Sequence, residues 1–133
     1  MKSKKFEEIA RNAIQKKLGC KLNNGKLNIT GKDKNFDLVN ENKRIVGDVK
    51  HYSMTKGGNI PSAKFSTLNE YAWLMQRLER STNLKWKKIF VIGADKPLVK
   101  KYIKTYGKWL DDIEVYYCSE RGEINRITQK SDD

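Results

Sequence analysis

The chain has 133 residues and carries 28 lysines and arginines against 16 acids, a formal net charge of +12. Its 38% hydrophobic residues are enough for one core, so a single domain spanning 1–133 is expected. No apolar run approaches the ~20 residues that cross a bilayer, and the lysine-bearing N-terminus has no apolar h-region, which excludes a membrane helix and a secretory signal.

Residues 3–18 predict a helix. Ser3 suits its N-cap and Gly19 the position after its end. Phe6, Ile9, Ala10, Ala13, Ile14 and Leu18 recur at helical spacing and mark the buried face. Glu7 borders that stripe and Glu8 points away from it. A short strand is expected at 26–30. The run from Phe36 to Lys50 then predicts a hairpin of two apolar strands joined by a polar turn at 40–43. Residues 51–61 hold Gly57, Gly58 and Pro61 and read as a loop.

A second helix is expected at 62–80, with Phe65, Leu68, Tyr71, Ala72, Met75 and Leu78 on one side. Residues 88–93, KIFVIG, form a continuous apolar run, as suits a strand covered on both faces. A third helix follows at 97–110, with proline at its start. Residues 113–118 are a further strand, GEINRI a last short one, and the final QKSDD a frayed tail. The expected order is α-β-β-β-α-β-α-β, an α/β fold with one mixed sheet flanked by helices.

Asp37, Asp48 and Lys50 carry the chemical signal. With the hairpin turn symmetric about Asn42 and Lys43, Asp37 lies across from Asp48. Cross-strand Cβ atoms are about 5 Å apart, and like charges so placed repel. A divalent cation between them would turn that repulsion into coordination, because carboxylates are hard oxygen ligands suited to Mg²⁺ or Mn²⁺. Lys50 shares a face with Asp48 by strand alternation. Two metal ligands and a cation at one place suit a phosphodiester, and the positive excess favours a polyanionic partner. The bland alternative is an ion-pair cluster on a solvated sheet face.

With Asp37 on one strand and Asp48-Val49-Lys50 on the next, the chain resembles the PD-(D/E)XK, or restriction-endonuclease-like, nuclease superfamily. Phe36 stands where the family pattern has proline. The resemblance covers roughly residues 3–93. It implies an αβββαβ core, here extended by a helix and a strand. It also implies Mg²⁺ (or Mn²⁺) held by Asp37, Asp48 and the Val49 carbonyl, with Glu7 from the first helix completing the site. Lys50 would orient the attacking hydroxide or stabilise phosphoryl oxygens. The activity implied is endonucleolytic hydrolysis of DNA, with a structure-selective, Holliday junction resolvase-like role as the leading form. Toxin-type or restriction-type DNases and a non-catalytic nucleic-acid-binding module are the alternatives.

Lys56, Asn59 and Lys64 border the Gly57-Gly58 loop and are candidate phosphate contacts. His51 and Gln76 are weaker candidates near the site. Tyr71, Trp73 and Trp86 read as core or partly buried residues. Cys20 and Cys118 share no metal-like spacing, and the lone histidine cannot complete a zinc site with them, so reduced thiols and a cytoplasmic location are expected. A homodimer is expected to use the late helix and strand, placed at the sheet edge, through Tyr106, Trp109, Val115 and Tyr117.

Overall fold

The computed structural model describes residues 3–52, 62–93, 95–110 and 112–128, with the side chains of Ser62 and Ala63 left aside. Helix α1 (Ser3–Leu18) opens the fold. Strands β1 (Asn23–Ile29), β2 (Lys32–Asn40) and β3 (Ile45–His51) follow, then α2 (Ser62–Thr82) and β4 (Lys87–Gly93). Helix α3 (Lys96–Tyr106) passes into a short 3₁₀ turn (Gly107–Trp109), and β5 (Glu114–Cys118) and β6 (Ile124–Ile127) close the chain. The expected third helix therefore ends early. Beyond Tyr106 the backbone tightens at Gly107 rather than continuing to Leu110.

The six strands lie in sequence order in one mixed sheet. β1–β2–β3 and β5–β6 are antiparallel, while β3, β4 and β5 run parallel through the α2 and α3 crossovers. Two apolar layers enclose the sheet. On one face Phe6, Ala10, Ala13 and Ile14 of α1 meet Leu38, Val49, Ile89 and Val91. On the other, Leu68, Met75 and Leu78 of α2 and Leu98, Val99 and Tyr102 of α3 cover Phe36, Val46, Phe90 and Ile92. β4 is buried on both faces apart from Lys87, as its unbroken apolar run requires.

Local chemistry fixes the hairpins. Thr30 and Gly31 both take positive φ, 48° and 89°, which matches a two-residue turn twisted with its strands. The β2–β3 pairs Leu38↔Gly47, Val39↔Val46 and Asn40↔Ile45 are symmetric about Asn42 and Lys43, as the sequence implies.

β5 does not lie at the sheet edge, because β6 pairs along it from Cys118 to Val115. Val115 is buried, and Tyr106 and Tyr117 pack partly buried against the core. Of the four residues expected at a dimer surface, only Trp109 stands exposed. β5 therefore offers no free edge for a dimer through these residues.

Gly93 ends β4 directly beneath α1. A Cβ there would lie 2.1 Å from Cζ of Phe6, a fully buried ring that His51 stacks upon at 4.5 Å. The ring has nowhere to go, so Gly93→Ala should destabilise the fold by roughly 1–3 kcal/mol or more. A smaller side chain at Phe6 (Phe6→Leu) should recover part of that loss in a double-mutant thermal melt. Equal melting temperatures for wild type and Gly93→Ala would contradict this packing.

Candidate active site

The β2–β3 ladder stops at Leu38↔Gly47, one pair short of Asp37 and Asp48. Beyond it the side chains take over the bonding. The Asp37 N–H donates to Asp48 Oδ1 at 3.1 Å, and the Val49 N–H donates to Asp37 Oδ2 at 2.9 Å. Each strand thus satisfies a backbone donor with the other strand's carboxylate. An unmade bond at these part-buried N–H groups would cost about 1–3 kcal/mol.

β2 is distorted where this happens. Opposite β1, Asn23 pairs with Val39 but Gly25 pairs with Phe36, so β2 uses three residue steps where β1 uses two. The extra residue makes a β-bulge at Asp37 and Leu38. Side-chain parity breaks with it. Phe36 packs with the α2 layer, Leu38 with the α1 layer, and Val39 returns to the α2 layer. The bulge turns the Asp37 carbonyl to α1, where Arg11 Nη2 donates to it at 3.0 Å. The same guanidinium nitrogen lies 3.2 Å from Glu7 Oε2. Arg11 therefore ties Glu7 to the bulge.

On the α2 side, Asp48 is almost fully buried and its Oδ2 lies 2.7 Å from Lys50 Nζ. The approach has ion-pair distance but not hydrogen-bond angles, and among the described residues Oδ2 has no hydrogen-bond partner. Lys50 Nζ also sits 4.6 Å from the centre of the Tyr71 ring, where the electron-rich face attracts a cation. Tyr71 is itself set edge-on against Phe36 at 5.9 Å. Burial alone would lower the Lys50 ammonium, but the adjoining Asp48 carboxylate outweighs it and holds the group above the ordinary lysine value.

The acids repel as expected. Burial, then the Asp48 carboxylate, pushes Asp37 up to about 6, against a partial opposing pull from the Val49 N–H. Burial and then Asp37 raise Glu7, against a partial opposing pull from Arg11. Asp37, Asp48 and Lys50 thus come together, Val49 supplies an N–H, and Glu7 is linked to the Asp37 backbone through Arg11. Glu8 is exposed.

His51 and Gln76 do not join them. His51 faces α1, stacked on Phe6, with Nε2 3.5 Å from Glu120. Gln76 donates to the Trp109 carbonyl at 3.5 Å, turned toward the 3₁₀ segment. Lys64 lies with Nζ 5.4 Å from the Tyr52 ring centre. Lys56 and Asn59 lie outside the described residues. Arg11 and Tyr71 were not legible as site residues. Arg11 reads as an ordinary helix-surface cation, although its i,i+4 spacing from Glu7 was a usable hint.

Among the described residues, no three or more His, Cys, Asp or Glu side chains converge as a ready metal cage. A donor set of two carboxylates, backbone carbonyl and water nevertheless fits Mg²⁺, which keeps several of its waters. Asp48 Oδ2, buried without a hydrogen bond among the described residues and facing only the Lys50 ammonium, is the observation that bears on an added cation. No protein-family model, curated protein or solved structure matches this chain.

Stability should report the strained carboxyl pair. The folded state holds a proton on Asp37 up to about 6, while the unfolded chain releases it near 3.8. The folded state thus binds more protons in between, so this group's stabilising contribution is full at acid pH and declines as pH rises through that window. Asp37→Asn removes the charge and keeps an oxygen for the Val49 N–H. In metal-free buffer at pH 8 it should melt above wild type, and the gain should shrink toward pH 4. A variant that melts lower at pH 8 would refute the electrostatic account.

Proposed function

We propose that the chain is a PD-(D/E)XK-type, metal-dependent endonuclease that hydrolyses DNA phosphodiester bonds. The observation carrying this reading is the pair of facing carboxylates, Asp37 and Asp48, with Lys50 Nζ 2.7 Å from Asp48 on the same face. The α-β-β-β-α-β order of the first six elements supports it, as does Glu7 beside Asp37. The charge of +12 supports a polyanionic partner.

In this reading Asp37, Asp48 and the Val49 carbonyl would hold Mg²⁺ or Mn²⁺, and Glu7 would bind a ligating water. Bound metal would supply an activated water near neutral pH and charge neutralisation at the phosphoryl group. Lys50, fixed between Asp48 and Tyr71, presents a donor to a phosphoryl oxygen or to the attacking hydroxide. Arg11 holds α1 against the bulge and so sets where Glu7 stands.

A second reading has its own observation. Both carboxylates already accept backbone N–H groups, and Asp48 already faces Lys50. A nucleic-acid-binding module could keep the trio for these structural bonds alone.

Cleavage assays separate the two. Supercoiled, linear and four-way-junction DNA should be cut with Mg²⁺ or Mn²⁺ and stay intact in EDTA. Asp48→Asn, Asp37→Asn and Lys50→Met should each lower turnover by about 10² or more, and Glu8→Ala should leave it unchanged. Binding without cleavage under every metal condition would support the module. DNA binding by Asp37→Asn should persist and weaken steeply with salt, each neutralised phosphate contributing roughly −0.9 to the log–log slope on duplex. A flat response would remove the polyanion.

A further inference from the structure

Trp73 and Trp109 are 59% and 73% exposed. A tryptophan left in water on a small basic domain forgoes the large stabilisation that burial of its ring would bring. The buried stripe of α2 runs through Phe65, Leu68, Ala72, Met75 and Leu78 and leaves Trp73 outside it. The Gln76 side chain, one turn along α2, reaches the Trp109 carbonyl. The Trp109 backbone thus adjoins α2, and its indole packs at 5.7 Å against Tyr106.

Cations surround Trp73. It lines a groove between α2 and the β1–β2 turn with Ile29, Lys32, Lys34 and Arg77. Glu70 is the acid on this groove. On its other side Trp73 borders Arg80, Lys88 and Asp112. The acids there are engaged. Glu79 and Asp112 pair with buried Lys88, and Asp112 also pairs with Lys85. Lys32, Lys34, Arg77 and Arg80 enter no ion pair among the described residues.

We propose that this flank binds an unpaired nucleic-acid strand, stacking a base on Trp73 with phosphates on Lys32, Lys34 and Arg77 and a further stacking surface at Trp109. Exposed indole with unpaired cations is the combination that single strands use, since each base offers a π-face and each linkage a charge. A duplex hides those base faces. A second copy of this chain fits poorly, because two-fold pairing of the flank would set like charges against each other. Lys34 and Asp37 share β2 and lie about 10 Å apart along it. The proposal rests on the nucleic-acid reading above and adds a substrate class to it: DNA with an unpaired segment beside the bond to be cut.

The test uses the full chain without metal. Fluorescence anisotropy would follow a labelled oligo(dT) of roughly 15 nucleotides, within single-strand site sizes, and a duplex of equal length. Trp73→Ala should weaken oligo(dT) binding about tenfold and leave duplex binding nearly unchanged, while Trp73→Phe keeps most of the affinity. Trp109→Ala should weaken the same probe. Oligo(dT) should quench wild-type tryptophan emission, less so in Trp73→Ala. Unchanged oligo(dT) affinity in Trp73→Ala, with duplex binding intact, overturns the stacking flank and leaves the nuclease reading standing. Failure of wild type to bind either probe overturns both. Self-association of wild type that Trp73→Ala abolishes, read by light scattering, would assign the flank to a second copy and overturn the proposal.

Discussion

Two backbone hydrogen bonds organise the candidate site: Asp37 N–H to Asp48 Oδ1, and Val49 N–H to Asp37 Oδ2. They stand where ladder bonds between β2 and β3 would otherwise run. Giving up the ladder frees β2 to bulge, and the bulge sends the Asp37 carbonyl to Arg11 while its carboxylate stays between the strands. The α1 layer is thereby connected to the same point as the α2 layer. Glu7 and Arg11 approach from one side, and Lys50 and Tyr71 from the other.

The rest of the fold keeps that point fixed. β3 pairs in parallel with β4 over its whole length, from Ile45↔Lys87 to His51↔Gly93. The strand bearing Asp48 and Lys50 therefore has one fully bonded neighbour, even though its other ladder is cut short. Val49 anchors into the α1 layer while Asp48 and Lys50 project to the other face. Gly47 lets β3 approach β4 closely. A Cβ there would lie 2.6 Å from the Ile89 carbonyl oxygen, against backbone that cannot swing aside. Rigid strands hold a charged trio more accurately than loops can.

Much of this was legible in the sequence, for specific reasons. The β2–β3 turn carries polar residues between two apolar runs, and its symmetry about Asn42 and Lys43 sets the register that brings Asp37 to Asp48. The double-sided burial of β4 follows from an apolar run with no alternation. The bulge was not legible, because no glycine or proline marks it. It arises from tertiary demands of α1 on one face and α2 on the other. Trp73 was misread because aromatic residues default to the core, although it falls one position off the α2 stripe. The pairing of β6 on β5 follows a local signal, two strand runs joined by the short Gly122-containing turn, and Gly107 marks where α3 gives way to the 3₁₀ turn.

The choice of aspartate over asparagine bears directly on the proposed function. An asparagine at 37 or 48 would offer the same carbonyl-type oxygen to the Val49 or Asp37 N–H, so neither structural bond requires a charge. The charge has a cost. Burial and Asp48 together hold Asp37 at about 6, so at neutral pH the fold keeps a charge on Asp37 at a cost. Lys50 offsets only part of that, because it faces Asp48 Oδ2 and not Asp37. A purely structural hairpin would relieve the repulsion by amidating either side chain. Retaining both charges is intelligible when a cation is meant to enter between them, and that makes Asp37→Asn informative. It should improve the metal-free fold and, on the proposed reading, abolish cleavage, a combination that a merely structural residue would not give.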